Sequence, residues 1–111
     1  MEDGKLSPNA ILILATIADG YRHGYAIRRE VDARTDGAVR IGVTTLYRLL
    51  RQLLAAGFVE ESERRPLPHL DDERRRYFGI TRAGRKALRA ELIQLERVLA
   101  AARQVPSKAR S

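Results

Sequence analysis

The run IGVTTLYRLLRQLLAAGFVEESERR, Ile41 to Arg65, followed by DERRRYFGIT, Asp72 to Thr81, decides the fold. In its first half Leu46, Leu49, Leu50, Leu53 and Leu54 fall at i, i+3, i+4, i+7 and i+8, which makes one apolar stripe on an amphipathic helix. The opposite face carries Thr44, Arg48 and Arg51, with Thr45, Tyr47 and Gln52 on its flanks, a surface suited to a polyanion. Gly57 then stops the helix as its C-terminal cap. Two short extended runs follow, Phe58 to Arg64 and Arg74 to Ile80, joined by a loop that holds Pro66 and Pro68. A helix leading into a basic hairpin reads as a winged helix-turn-helix, and that arrangement argues for DNA binding.

Composition points the same way. With 111 residues the chain makes one domain whose core would be small without a partner subunit, because short chains bury a lesser fraction of their surface. There are 21 Lys plus Arg against 14 Asp plus Glu, a net charge of +7, and the pI is near 10.5. Arginine far outnumbers lysine, and its planar fork grips phosphate and guanine edges in a bidentate manner. A basic surface that only keeps the protein soluble is the plainer alternative on charge alone. The absence of cysteine excludes disulfides, thiolate catalysis and Cys-based metal sites. The longest apolar run, Ala10 to Ala18, falls well short of the ~20 residues of a membrane span. The start of the chain lacks the basic flank of a signal peptide, so a soluble cytoplasmic protein is expected, with no membrane partner.

Outward from the central run, Ser7 and Pro8 start a first helix that is expected to reach a glycine stop at Gly20. It is apolar nearly all round, as suits a helix covered by its own domain and by a second subunit, with Ile11 and Leu14 as candidate dimer contacts; a central core helix in a monomer would look the same. Tyr21 to His23 reads as a short turn. Gly24 opens a second helix, ended near Gly37, with Ile27 and Val31 as its core pair and Arg28, Arg29 and Asp32 outward, the arginines placed to lie along phosphates. Ala38 to Ile41 is expected to be extended and to pair weakly with the hairpin. In the hairpin, Glu60, Glu61 and Glu63 can face Arg74, Arg75 and Arg76 as cross-strand pairs. The competing reading, preferred here, sends Arg74, Arg75 and Arg76, with Arg64 and Arg65, to a phosphate or the minor groove. Thr81 caps a last helix reaching about Arg103, on which Leu88, Leu92, Leu95, Leu99 and Ala102 step by 4, 3, 4 and 3 as a heptad seam. With the rest of the chain committed to three helices and a hairpin, this seam is assigned to a homodimer interface. The expected organisation is a flexible tail over residues 1–6, a winged helix-turn-helix domain over 7–80, a dimerisation helix over 81–104 and a disordered basic tail over 105–111, mainly α with a small β-hairpin.

No catalytic constellation is visible: there is no phosphate loop and no dinucleotide fingerprint, and His23 and His69 lie in different turns. His69 beside Asp71, Asp72 and Glu73 could ligate a metal, but a charged hairpin tip is more often simply solvated. An enzyme, a metal site and a cofactor are therefore not expected.

The motifs HGYAI (His23 to Ile27), TTLYRLLRQLLAAGFV (Thr44 to Val59) and RRRYFGITRAGR (Arg74 to Arg85), in this order and spacing, resemble the PadR family of bacterial transcriptional regulators, over roughly Leu6 to Leu99. The single helix after the wing is similar to the shorter subgroup. The resemblance implies a homodimeric winged-helix repressor on double-stranded DNA with a pseudo-palindromic operator, released by a small-molecule effector. It also implies dimerisation through the last helix with help from the first. Carried onto this chain, it assigns Thr44, Thr45, Tyr47 and Arg48 to the recognition helix, Tyr25 and Tyr47 to phosphate contacts, and basic side chains to the wing. Two departures stand out. Many relatives have proline after the Leu-Tyr pair, where this chain has Arg48. Drug-binding relatives can sandwich flat ligands with tryptophan from the last helix, and this chain has none, which argues against multidrug sensing and leaves the effector without a name.

The expected mechanism places Val43 to Ala56 in a major groove with the wing on the flanking backbone, the half-sites about one turn, roughly 34 Å, apart. A winged-helix protein-assembly module, a nonspecific architectural DNA binder and, remotely, a hydrolase are the rivals. Regulators of the MarR type usually carry extra helices beyond this length.

Overall fold

A computed structural model describes residues 5–62 and 76–104. The elements run α1 (Pro8–Thr16), β1 (Arg22–His23), α2 (Gly24–Arg34), α3 (Val43–Ala55), β2 (Val59–Ser62), β3 (Tyr77–Ile80) and α4 (Arg82–Ala102). The fold is a winged helix: α1 to α3 pack together, the strands form an antiparallel sheet in the order β1-β3-β2, and α4 leaves from the base of the wing.

The start of α1 follows the sequence reading, with Ser7 Oγ accepting from the Ala10 amide at 3.2 Å and Pro8 at the first position. Its end does not. The helix stops at Thr16, four residues short of Gly20, because Arg22 Nε donates to the Thr16 carbonyl at 2.6 Å, the acceptor that a further helical turn would need. Tighter bonds then close the turn, Ile17 N to the Leu14 carbonyl at 3.2 Å and Gly20 N to the Ile17 carbonyl at 3.4 Å. Arg85 of α4 donates to the Ala18 carbonyl at 2.5 Å, so two arginines hold the exit of α1.

At the end of α3, Gly57 has φ +82°, Phe58 N donates to the Leu53 carbonyl at 3.0 Å and Gly57 N to Leu54 at 3.1 Å. This double bond around a left-handed glycine is the Schellman closure, and it turns the chain directly into the wing.

The third strand corrects the sequence reading. Arg22 and His23, read as a turn, pair with β3 in the register Arg22↔Phe78 and His23↔Tyr77. Ala38 to Ile41 forms no strand. Its polar groups are engaged elsewhere: Val39 N donates to Thr35 Oγ1 at 3.0 Å and the Ile41 carbonyl accepts from Arg28 Nε at 2.9 Å, while Ile41 is buried in the core.

The core gathers Ile13, Leu14 and Ile17 of the α1 region, Ile27 and Val31 of α2, Leu46, Leu50 and Leu53 of α3, and Phe78 of the sheet. At about 25 cal/mol per Å² of apolar surface removed from water, each such side chain stabilises the fold by roughly 1.5 to 3 kcal/mol. In α4 only Gly84 is fully buried, its backbone against the Phe58 carbonyl, and Leu88 packs partly on the core. Beyond Glu91, which accepts from the Leu6 amide at 3.3 Å, α4 has no buried residue. Among the described residues no helix is long and apolar enough to cross a membrane.

Candidate nucleic-acid interface

Leucines place α3. Leu46, Leu49, Leu50 and Leu53 are buried and Leu54 is half-buried, which holds the opposite side outward and leaves Val43, Thr44, Arg48, Arg51 and Gln52 exposed. Arg48 and Arg51 are exposed and make no hydrogen bond or ion pair among the described residues, so none of those residues takes up their guanidinium donors. The N-cap of α3 is Gly42, without a side-chain cap. Uncapped amides at the positive end of a helix dipole favour an approaching phosphate.

Tyr47 and Thr45 are only half exposed. The Tyr47 ring stands edge-on to Phe78, centroids 6.4 Å apart at 63°, and its hydroxyl occupies the space beside Gly24 that a Cβ would fill. Tyr47 therefore orients α3 against α2 and the sheet as well as reaching toward the surface.

The HGY motif has a distinct job for each residue. His23 Nδ1 accepts from the Ala26 amide at 3.2 Å and so caps α2. Gly24 makes room for Tyr47. Tyr25 is 57% exposed, stacks on His23 with centroids 6.4 Å apart, and carries the Arg29 guanidinium 5.6 Å above its ring. Tyr25 and Arg29 thus form one exposed aromatic and cationic ledge next to α3. Arg28, read as outward and phosphate-facing, is instead half-buried and spends its Nε on the Ile41 carbonyl just before α3. Sequence reasoning missed Arg40, which stands two residues before Gly42 with a 77% exposed side chain, 3.5 Å from Asp32. The only signal for it was a cation in the loop entering the recognition helix.

At the wing base, Arg76 meets Glu61 in a bidentate pair, Nε to Oε2 at 2.5 Å and Nη2 to Oε1 at 3.0 Å, with its guanidinium 5.3 Å from the Phe78 ring centroid. The hydrogen bond from Arg76, aided by its charge, holds the Glu61 carboxyl below its ordinary range, and the same bond raises Arg76. Of the two roles considered for Arg76, the structure displays the cross-strand pair. Glu60 takes a different partner, the Tyr21 hydroxyl, and the Tyr21 ring lies over Gly79. Arg64, Arg65, Arg74 and Arg75, the outer ends of both expected strands, Glu63, the His69 cluster, residues 1–4 and the tail over 105–111 lie outside the described residues, whereas Leu6, expected in a flexible tail, is buried in the core.

The dimer candidates divide. Ile11 and Leu14 are 8% and 0% exposed and belong to the chain's own core, so within one chain they are already covered. On α4, Leu92, Leu95 and Leu99 are 44%, 39% and 50% exposed, and Val98 and Ile93 add to the apolar surface. Leu88 lies between, half-buried.

The chain matches the family model described as the transcriptional regulator PadR-like family over residues 13–90. It matches no curated protein sequence. Among solved structures it is similar to a transcriptional regulator from Clostridium thermocellum, with 24% identity, a TM-score of 0.74 and coverage of 86% of this chain and 87% of that one. It is also similar to RosR from H. salinarum, with 27% identity, a TM-score of 0.62 and coverage of 90% and 78%. A third similarity is to Bacillus subtilis PadR in complex with operator DNA, with 19% identity and a TM-score of 0.63, covering 76% of this chain and 46% of that one.

Proposed function

The chain belongs to the PadR-like family of transcriptional regulators, and from that premise we propose that this DNA-binding protein is a homodimeric repressor of a pseudo-palindromic operator, released by a small-molecule effector. The observation that carries the reading is the face of α3, where Thr44, Arg48, Arg51 and Gln52 stand exposed opposite four buried leucines. In this reading Arg48 and Arg51 take guanine edges in the major groove, each bidentate contact giving about 1 to 3 kcal/mol of discrimination. Thr44 and Thr45 line the same groove, Tyr25, Tyr47, Arg29 and Arg40 meet flanking phosphates, and the wing arginines add affinity without sequence.

The seam Leu88, Leu92, Leu95 and Leu99 joins two copies. Ile11 and Leu14 have no part in that joint, since the monomer core already holds them. A cleft lined by Arg85, Leu88, Arg89 and Leu92 lies on the same face of α4. A molecule bound there would act by favouring a spacing of the two recognition helices that no longer fits the operator.

The test is selection of bound fragments from sheared genomic DNA of the source organism at physiological salt. Recovery of a few promoter fragments sharing an inverted repeat supports the reading. Uniform recovery makes the protein an architectural binder, and recovery of nothing leaves the assembly-module reading in its place.

A further inference from the structure

One apolar side chain stands on the otherwise polar leading end of α3. Val43 is the first residue of the helix and is 53% exposed, between exposed Gly42 and Thr44. It belongs neither to the core nor to the half-buried residues packed against it. Local stability does not call for it either, since a β-branched residue has a poorer helix propensity than alanine. Its place is what gives it meaning. Every Cα–Cβ bond in a helix tilts toward the N-terminus, so the side chain at the first position projects ahead of the helix. In a helix-turn-helix it is the N-terminal residues of the second helix that meet base edges. In the major groove, base edges present hydrogen-bonding groups and a single apolar one, the C5-methyl of thymine.

We propose that Val43 reads a thymine in each half-site through contact of its γ-methyl groups with the C5-methyl. The proposal rests on α3 being the recognition helix. Arg48 and Arg51 follow farther along the same helix, so the thymine belongs to a different base pair from any guanine they take. The contact is apolar and carries no charge, so it adds specificity without adding to the salt dependence that phosphate contacts produce.

The experiment uses the operator recovered from genomic selection, with each thymine of a half-site replaced in turn by deoxyuridine. That replacement removes one methyl group and leaves base pairing and the donor and acceptor pattern intact. At one position per half-site the wild-type protein is expected to lose about fourfold in affinity, the equivalent of one methyl group returned to water. The Val43→Ala variant should bind the thymine and deoxyuridine operators equally at that position, and Val43→Thr, with one methyl remaining, should fall between. Val43 packs on nothing in the core, so both variants fold, as their unchanged thermal unfolding would show. If wild-type protein binds the operator but no thymine shows a sensitivity that Val43→Ala removes, the role of Val43 is overturned and the recognition-helix reading survives. If selection recovers no operator at all, both fall together.

Discussion

The phenol of Tyr47 occupies the space beside Gly24 in which any other residue would place its Cβ. The glycine is there for a neighbour's sake, since φ at this position is not in the left-handed region. Two opposed effects bear on Gly24→Ala. Alanine is the better helix former by about 0.8 to 1 kcal/mol in a helix interior, and by less at the first position. Overlap with a packed ring costs typically 1 to 3 kcal/mol. The overlap wins, so Gly24→Ala should destabilise the protein by about 1 to 2 kcal/mol in urea unfolding. In a Tyr47→Leu background the same change should cost less, because residues in contact are coupled by about 0.5 kcal/mol or more. A Gly24→Ala protein as stable as wild type would show that Tyr47 does not need the slot.

Arg48 and Arg40 are both exposed cations near the start of α3, yet distinct effects are expected from them. Arg48→Ala should remove discrimination at one base pair by about 1 to 3 kcal/mol while leaving binding to random DNA nearly intact. Arg40→Ala should weaken operator and random DNA alike and reduce the salt slope by about one unit per subunit. Competition titrations on operator and scrambled duplex at several salt concentrations distinguish the two. Both variants should unfold within about 0.5 kcal/mol of wild type, since neither residue packs in the core. Equal losses on both duplexes for Arg48→Ala would remove it from base reading.

The fold was legible where a periodic pattern coincided with a cap. Ser7 with Pro8, the leucine stripe closed by Gly57, and Thr81 ahead of the last helix each joined a periodicity to a chemical stop or start, and each is found in place. The exposed side of α3 was legible for the same reason, being what remains once the leucines are buried. Features that depend on long-range hydrogen bonds were not legible. Arg22 ends α1 by capturing the Thr16 carbonyl and begins the third strand beside Phe78, while Arg28 ties α2 to the entrance of α3. An arginine in sequence does not reveal whether it will meet a phosphate or a carbonyl of its own chain. Nor does an all-round apolar helix reveal whether Ile11 and Leu14 face a partner or the interior; here the interior has them.

The Glu61–Arg76 pair at the wing base sets an acid limit on local stability. Because the hydrogen bond from Arg76 lowers the Glu61 carboxyl in the folded protein, its contribution is complete above the unfolded value, about 4.3, and is lost as pH falls through the lower folded value. Both side chains are partly exposed, so the contribution is that of a surface pair, about 0.2 to 1 kcal/mol. Glu61→Gln should therefore lower stability slightly at pH 7, and the gap between variant and wild type should close in acid below about pH 4. Thermal unfolding of both proteins across that range measures it. A gap that widened in acid would contradict the sign.

Leu95 and Leu14 are both leucines assigned to a dimer interface from sequence, and they should now behave as opposites. Leu14 is fully buried in the single chain, so Leu14→Ala should cost about 2 to 5 kcal/mol through lost transfer energy and the cavity left behind. That loss should appear at every protein concentration. Leu95 is 39% exposed on a stretch of α4 on which none of the described residues is buried, so Leu95→Glu removes little from the monomer. It does place two like charges in the seam if α4 pairs with its copy, where desolvating an unpaired carboxylate costs several kcal/mol. Sedimentation equilibrium should then find wild type as a dimer and Leu95→Glu as a folded monomer with unchanged far-ultraviolet dichroism. Wild-type stability should rise with protein concentration while that of the variant should not. A Leu95→Glu protein that sedimented as a dimer would move the interface off this seam, whatever the fate of Leu14→Ala.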